Sequence, residues 1–193
     1  MLTDSLGRHR SDDYHYAFTD EEFETICAVA DGVTVWLGQG FARQPDPEFA
    51  GELVRVLGRT GIHPSRVGLL GPANLRDDIL TWPRPKTSRW PWVPVHHELS
   101  PWIEGFLSKP KPRHRGAYNP ILGRVEQQIA EEEGVRIHLN PLRFRHFAAK
   151  TLLEMGVPVP VVCEFMGCSE KMLRYYSNQG PQYVRDLLRS KGW

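Results

Sequence analysis

The sequence is poor in cysteine and has no long apolar run. Its 193 residues include 3 cysteines, Cys27, Cys163 and Cys168, and no two of them form a Cys-x-x-Cys pair. So few cysteines exclude a small disulfide-stapled secreted domain and are typical of a reducing compartment. No segment approaches the roughly 20 apolar residues that a membrane-spanning helix needs, and the first residues lack the apolar core of a signal peptide. We therefore expect a globular cytoplasmic protein without membrane contact.

Metal-ligand spacing is also missing. The 3 cysteines and 8 histidines are scattered along the chain, whereas structural zinc sites draw on Cys or His pairs a few residues apart. We expect no metal and no cofactor. No internal repeat is visible either.

Net charge is nearly absent, but the charges are segregated along the chain. The formal net charge is +1. Residues 1–56 hold four Lys or Arg against eleven Asp or Glu, whereas residues 84–116 hold seven against two and residues 134–193 nine against four. Two basic segments in a nearly neutral chain can present a basic surface to phosphate groups. The composition alone is equally compatible with charges spread over a solvated surface.

Most of the local sequence patterns predict helices, and two segments predict strands. A capping box of Thr19 and Glu22 begins a helix predicted to end near Ala30. A second helix is predicted from Asp46-Pro47, with these side chains inward: Phe49, Leu53 and Leu57. Strands are predicted at 78–82 and 90–95, and the remaining helices at 68–75, 101–107, 121–133, 141–155, 158–166, from 169, and at 181–190. We divide the chain into a disordered or loosely attached arm (1–17), one domain (18–180) and a tail helix (181–193).

The most informative stretch runs from Pro141 to Asn178. It is predicted to form three short helices, with stops at Gly156 and Gly167. On the first helix, helical spacing places four apolar side chains on one face: Phe144, Ala148, Leu152 and Met155. Three charged side chains take the other faces: Arg143, Lys150 and Glu154.

This stretch resembles the C-terminal catalytic half of the tyrosine recombinases, the phage-integrase family. The matching segments are Arg145-His146-Phe147-Ala148, Leu152-Leu153-Glu154-x-Gly156-Val157, Phe165-Met166-Gly167 with Ser169, and Met172-Leu173-Arg174 followed by Tyr-Tyr-Ser. The order of elements from residue 18 onward resembles the family more weakly. The resemblance implies a mainly α fold with a small antiparallel β-sheet. It also implies a metal-independent reaction on duplex DNA, in which a tyrosine cleaves and rejoins a strand through a phosphotyrosine bond.

The resemblance assigns three catalytic positions. Arg145 falls on the family's second arginine, and a guanidinium is suited to bidentate phosphate binding. Tyr176 aligns with the nucleophile, although Tyr175 remains a rival because the preceding loop is about one residue shorter than usual. Lys86, in the turn between the two predicted strands, aligns with the lysine that acts as general acid. Each also has an ordinary structural alternative: a snorkelling arginine, a core tyrosine and a solvated turn lysine.

Other catalytic positions depart from the family pattern. His63 stands in place of the first arginine and Arg66 in place of a glutamate. Leu142 occupies a position that usually holds histidine, and Cys168 one that usually holds histidine or tryptophan. Removing one preorganised donor typically costs about 3–4 kcal/mol of transition-state stabilisation. We therefore expect a degenerate active site, with strand cleavage weak or lost.

Duplex DNA is the expected partner, and we expect its phosphates to contact basic side chains from the whole domain. The predicted set is Arg66, Arg89, Lys109, Lys111, Arg113, Arg115, Arg143, His146 and Lys150. Two alternatives stay open: an active recombinase that uses His63 or Arg66 in place of the first arginine, and an accessory protein. The accessory protein would pair with itself or with a complete recombinase through the tail, Tyr183–Trp193. The family suggests a prokaryotic, plasmid or viral origin.

Overall fold

The computed structural model describes residues 17–37, 44–82, 91–112, 114–171 and 173, without the side chain of residue 115. The helices in these ranges are α1 Asp20–Asp31, α2 Phe49–Thr60, α3 Pro64–Val67, α4 Ile103–Ser108, α5 Asn119–Glu132, α6 Pro141–Glu154 and α7 Val159–Met166. The strands are β1 Val35–Leu37, β2 Gln44–Asp46, β3 Leu75–Arg76, β4 Ile79–Thr81 and β5 Trp92–Pro94. The prediction of a mainly α fold with small antiparallel sheets is confirmed. The tail helix and all but the last residue of the predicted arm lie outside the described residues.

The strands form two small antiparallel sheets. β1 pairs with β2, and Val35 stands opposite Asp46. β3, β4 and β5 form the second sheet in that order, with Leu80 opposite Val93. β4 and β5 confirm the two predicted strands in shortened form. The turn between them, with Lys86 and Arg89, lies outside the described residues.

Two helix starts follow from their caps. At α1, the N–H of Glu22 donates to the Thr19 hydroxyl (3.0 Å) and the N–H of Thr19 donates to the Glu22 carboxylate (2.9 Å), so the predicted capping box is confirmed. α2 begins at Phe49, slightly later than predicted. The Asp46 carboxylate accepts the N–H groups of Glu48 (3.0 Å) and Phe49 (2.9 Å) and thereby ends the turn that precedes the helix.

The helix predicted at 68–75 is wrong. The chain instead forms the four-residue α3, a short 3₁₀ turn (Pro72–Asn74) and strand β3. Gly68 and Gly71 weaken any helix between them. Pro72 begins the 3₁₀ turn, and the Asn74 side chain accepts the N–H of Gly71 at 2.9 Å. This local bonding replaces the continuation of a helix.

Helix α6 belongs to both hydrophobic clusters of the fold. Its Phe144 and Phe147 pack in the main core, where the Phe23 and Phe147 rings stack with centroids 4.3 Å apart. Its Ala149 belongs to the second cluster, which is built around α7 and includes Phe165.

The predicted inward face of α2 is confirmed, because its three apolar side chains are fully buried. No helix in the described ranges has the length and apolar character needed to cross a bilayer.

The predicted faces of α6 need two corrections. Met155 was expected inside but is 70% exposed, because α6 ends at Glu154 and Gly156 (φ +81°) turns the chain away. Arg143 was expected on an outer face but is buried. Its guanidinium donates to the His138 carbonyl at 2.9 Å and lies 4.3 Å from the centroid of the Phe18 ring.

Candidate functional site

Arg145 joins three segments of the fold. From α6, its Nη1 donates to the carbonyl of Gly61 at 2.9 Å, and its Nη2 donates to the carbonyl of Met166. Gly61 ends α2 and Met166 ends α7. The predicted site residues His63 and Cys168 each lie two residues beyond one of these carbonyls. The two carbonyls that anchor this guanidinium therefore lie close in sequence to two other predicted catalytic positions.

Gly61 allows the close approach on which this arrangement depends. Its φ of +62° lies in the left-handed region, and its N–H donates to the carbonyl of Leu57 at 3.0 Å. A Cβ at this position would lie 3.1 Å from the Ala148 side chain and 3.1 Å from that of Met166. The backbone conformation therefore favours glycine, and a side chain at this position would also require Ala148 or Met166 to shift.

His63 is exposed and caps the short helix α3. Its Nδ1 accepts the backbone N–H of Ser65 at 3.2 Å and lies 2.8 Å from the Ser65 hydroxyl. Because Nδ1 acts as the acceptor, the neutral ring carries its proton on Nε2. His63 is thus a positioned single donor, without the paired donors of an arginine.

A cleft of about 700 Å³ lies beside this histidine. His63 and Leu142 line it together with His138 and Glu126, which the sequence analysis did not single out. The Glu126 carboxylate holds His138 Nδ1 at 3.1–3.2 Å and accepts the N–H of Leu139 at 3.2 Å. No motif marks His138, because the loop between α5 and α6 brings it to the cleft only in the folded chain.

Cys168 follows a tight turn at the end of α7. Gly167 adopts the left-handed conformation (φ +58°), and the N–H of Cys168 donates to the carbonyl of Cys163 at 2.9 Å. The two thiols are in hydrogen-bonding contact. Burial, followed by the Cys168 neighbour, raises the pKa of Cys163 to about 11. A thiol is a weak donor, so Cys168 offers a phosphate less than an imidazole would.

Comparison with known proteins identifies the fold. No family model and no curated protein sequence matches the chain. The XerA recombinase structure has a TM-score of 0.70 at 13% identity, covering 91% of this chain and 64% of XerA. The structure of the Tn1549 transposon integrase in complex with transposon right end DNA has a TM-score of 0.71 at 13% identity, and the match covers 100% of this chain and 71% of the integrase chain. The catalytic domain of bacteriophage HP1 integrase has a TM-score of 0.59 at 19% identity, and the match covers 90% of this chain and 94% of that domain.

The chain has the fold of a tyrosine-recombinase catalytic domain. It spans slightly less than two thirds of XerA but nearly all of the HP1 integrase catalytic domain, at 64% and 94%. The predicted fold is therefore confirmed, together with the resemblance on which it was based. At these identities the likeness concerns the fold, and the chemistry depends on the residues of this chain.

Two lysines of the predicted DNA-contacting set, Lys109 and Lys111 after α4, have partners within the protein. Lys109 forms ion pairs with Glu52 (2.7 Å), Asp46 (3.3 Å) and Glu48 (3.3 Å). Lys111 donates to the carbonyls of Leu107 and Lys109, and its ammonium lies 4.8 Å from the centroid of the Phe106 ring. Burial lowers the pKa of Lys111 to about 8. Both ammonium groups are therefore engaged within the protein here, and the predicted DNA contacts of these two lysines stay predictions.

Two further residues of the predicted DNA-contacting set are buried. His146 is fully buried, and Arg143 is 5% exposed with Glu22 3.6 Å from its guanidinium. In this conformation neither side chain is exposed to a ligand, and their predicted DNA contacts stay predictions.

The remaining predicted residues divide into two groups. Arg66 is half-buried on α3, and Lys150, 29% exposed, lies 3.7 Å from Glu154 and 3.8 Å from Asp20. Such half-exposed pairs contribute little and open easily to a phosphate. The others lie outside the described residues or, for Arg115, outside the described side chains: Lys86, Arg89, Arg113, Arg115, Tyr175 and Tyr176.

The described part of the chain also contains one group of potential metal ligands. His96, His97 and Glu98 bring a ligand atom each within 4.8 Å of one another. The Glu98 carboxylate, however, accepts two hydrogen bonds from Arg59, both at 2.8 Å. A guanidinium bound in this way already neutralises the carboxylate and would repel a cation. We therefore interpret Glu98 as the partner of Arg59 and not as a metal ligand.

Proposed function

We propose that the protein binds duplex DNA as a recombinase-like protein whose strand cleavage is weak or lost. The observation that carries this proposal is the anchored guanidinium of Arg145, on a tyrosine-recombinase fold. Two carbonyls from α2 and α7 fix its orientation, and a fixed cationic donor suits a phosphate whose position is defined.

The departures around Arg145 support the loss of efficient cleavage. His63 offers one donor from Nε2 where the family has a guanidinium, Leu142 offers none, and Cys168 offers a thiol. Each lost donor costs about 3–4 kcal/mol. Even with non-additive effects, two such losses correspond to a rate reduction of roughly 10⁴ or more.

Several residues support binding that does not depend on cleavage. His63 and His138 line the same cleft, and Arg66 and Lys150 lie half-buried close in sequence to His63 and Arg145, respectively. We propose that five cationic side chains neutralise DNA phosphates, namely Arg66, Lys150, Arg89, Arg113 and Arg115, and that the two histidines donate hydrogen bonds to them. Lys86 and Tyr176 complete the proposed reaction set as general acid and nucleophile.

A working strand transferase is the second candidate, because His63 is ordered by Ser65 with its proton directed to Nε2. A nicked suicide duplex separates the two candidates: the nick lets a short fragment diffuse away after cleavage and traps the covalent intermediate. We expect a mobility shift but an adduct near background for the natural chain. Abundant adduct would establish the working enzyme, and absence of any shift would favour the accessory role.

The matched variant is His63→Arg, which restores a paired donor. Its benefit appears in the transition state, so we expect it to raise the adduct more than the affinity. Tyr176→Phe in the same background removes the nucleophile and shows whether any adduct is genuine.

A further inference from the structure

Two of the three cysteines meet at the C-terminal end of α7. The N–H of Cys168 donates to the carbonyl of Cys163 at 2.9 Å, and the N–H of Gly167 donates to that of Glu164 at 3.1 Å, with Gly167 in the left-handed conformation. This is the Schellman arrangement, in which the side chains that flank the turn come into contact. Here those side chains are thiols, and both pack against the second hydrophobic cluster.

The geometry suits a covalent link between these two thiols. A disulfide requires Cα atoms roughly 4.4–6.8 Å apart and side chains directed at each other. The main-chain hydrogen bond from Cys168 to Cys163 keeps their Cα atoms close, and the Schellman turn brings the two flanking side chains together. Both side chains are half-buried, so a small oxidant reaches them, whereas Cys27 is 4% exposed.

We propose that Cys163 and Cys168 form a redox modification site that a peroxide converts to an intramolecular disulfide. The Cys168 thiolate attacks one peroxide oxygen, the O–O bond breaks, and a sulfenic acid and water result. The Cys163 sulfur then attacks the sulfenic sulfur and displaces a second water. The two thiols lose two electrons and two protons to the peroxide. Burial raises the pKa of the Cys163 thiol, which disfavours Cys163 as the first nucleophile.

The position of the pair gives the modification a structural consequence. Met166 lies between the two cysteines in the chain, and its carbonyl accepts a hydrogen bond from Arg145. A disulfide across this turn would fix the backbone that anchors the guanidinium. The site itself does not depend on the proposed DNA function and can be tested without DNA.

Peptide mapping of the full chain tests the proposal. The reduced protein is treated with stoichiometric hydrogen peroxide, alkylated and digested with trypsin, which releases residues 151–171 as one peptide containing both cysteines. We expect this peptide to become lighter by two hydrogens and to resist alkylation, while Cys27 remains alkylated. Cys163→Ser and Cys168→Ser should each abolish the mass loss, and Cys27→Ser should leave it unchanged.

The unfolded chain supplies the remaining control, because the two cysteines are close in sequence. We expect the disulfide to form about tenfold faster in the folded protein than in denaturant, since the turn holds the thiols together. Equal rates, an alkylated pair after peroxide treatment, or a disulfide that involves Cys27 would overturn the proposal.

Discussion

Substitution of Gly61 by alanine tests the packing that orients Arg145. Gly61 and Gly134 both adopt left-handed backbone conformations, with φ of +62° and +66°. An alanine pays about 1–2 kcal/mol for that conformation at either position. At Gly61 the new methyl group also meets Ala148 and Met166 at 3.1 Å, whereas at Gly134 nothing lies within 4 Å.

The two variants therefore differ mainly in the close approach. Overpacking costs typically 1–3 kcal/mol, and the loss of unfolded-state entropy on changing glycine to alanine is the same in both. We expect Gly61→Ala to lower the free energy of unfolding by about 2–4 kcal/mol and Gly134→Ala by about 1 kcal/mol. Urea titrations with a shared m-value measure both. Equal losses would mean that Gly61 is not wedged between α6 and α7, and the anchoring of Arg145 described above would be wrong.

Four further predictions concern charge and chemistry. Lys109→Met should lower the free energy of unfolding by about 1–3 kcal/mol, because it removes the ion-pair partner of three carboxylates. Duplex affinity in a mobility-shift titration should stay unchanged. A loss of affinity without a loss of stability would mean that Lys109 contacts DNA. The pKa of Lys111 is about 8 in the folded chain against an ordinary 10.5, so the unfolded chain binds more protons between these values. From pH 8 to 10.5, the free energy of unfolding of the natural chain should therefore rise relative to that of a Lys111→Met variant, because the opposite contribution of groups such as Cys163 is common to both chains and cancels in the difference. On the suicide duplex, His63→Arg should increase the covalent adduct more than it increases affinity; a gain confined to affinity would count against the missing-donor explanation. Tyr176→Phe should abolish any adduct and Tyr175→Phe should not, and the reverse pattern would place the loop deletion elsewhere.

Much of the fold could be predicted because its signals are local. The capping box of Thr19 and Glu22, the apolar face of α2, and the glycine after α7 each act within a few residues. The wrong prediction of a helix at 68–75 illustrates the same principle. Its two glycines and Pro72 favour local turns, and the apolar residues between them do not supply enough packing to override that preference.

The candidate site was less predictable because its contacts are remote in sequence. A count of basic residues gives the charge of a segment but not the partners of each side chain. Lys109 meets Glu52 across 57 positions, and Arg145 meets Gly61 across 84. The pairing of His138 with Glu126 likewise depends on a loop conformation that no motif encodes. The family resemblance predicted the importance of Arg145, whereas the two carbonyls that bind it are seen only in the folded structure.

Equilibrium binding to a fluorescent duplex, measured between about 50 and 200 mM salt, tests the central claim most directly. If the protein neutralises DNA phosphates, log K should fall linearly with log salt, with a slope of about −0.9 for each phosphate contacted. Arg66→Ala should reduce that slope by about one contact. Binding that is absent at about 50 mM salt, or that does not change with salt, would contradict the account.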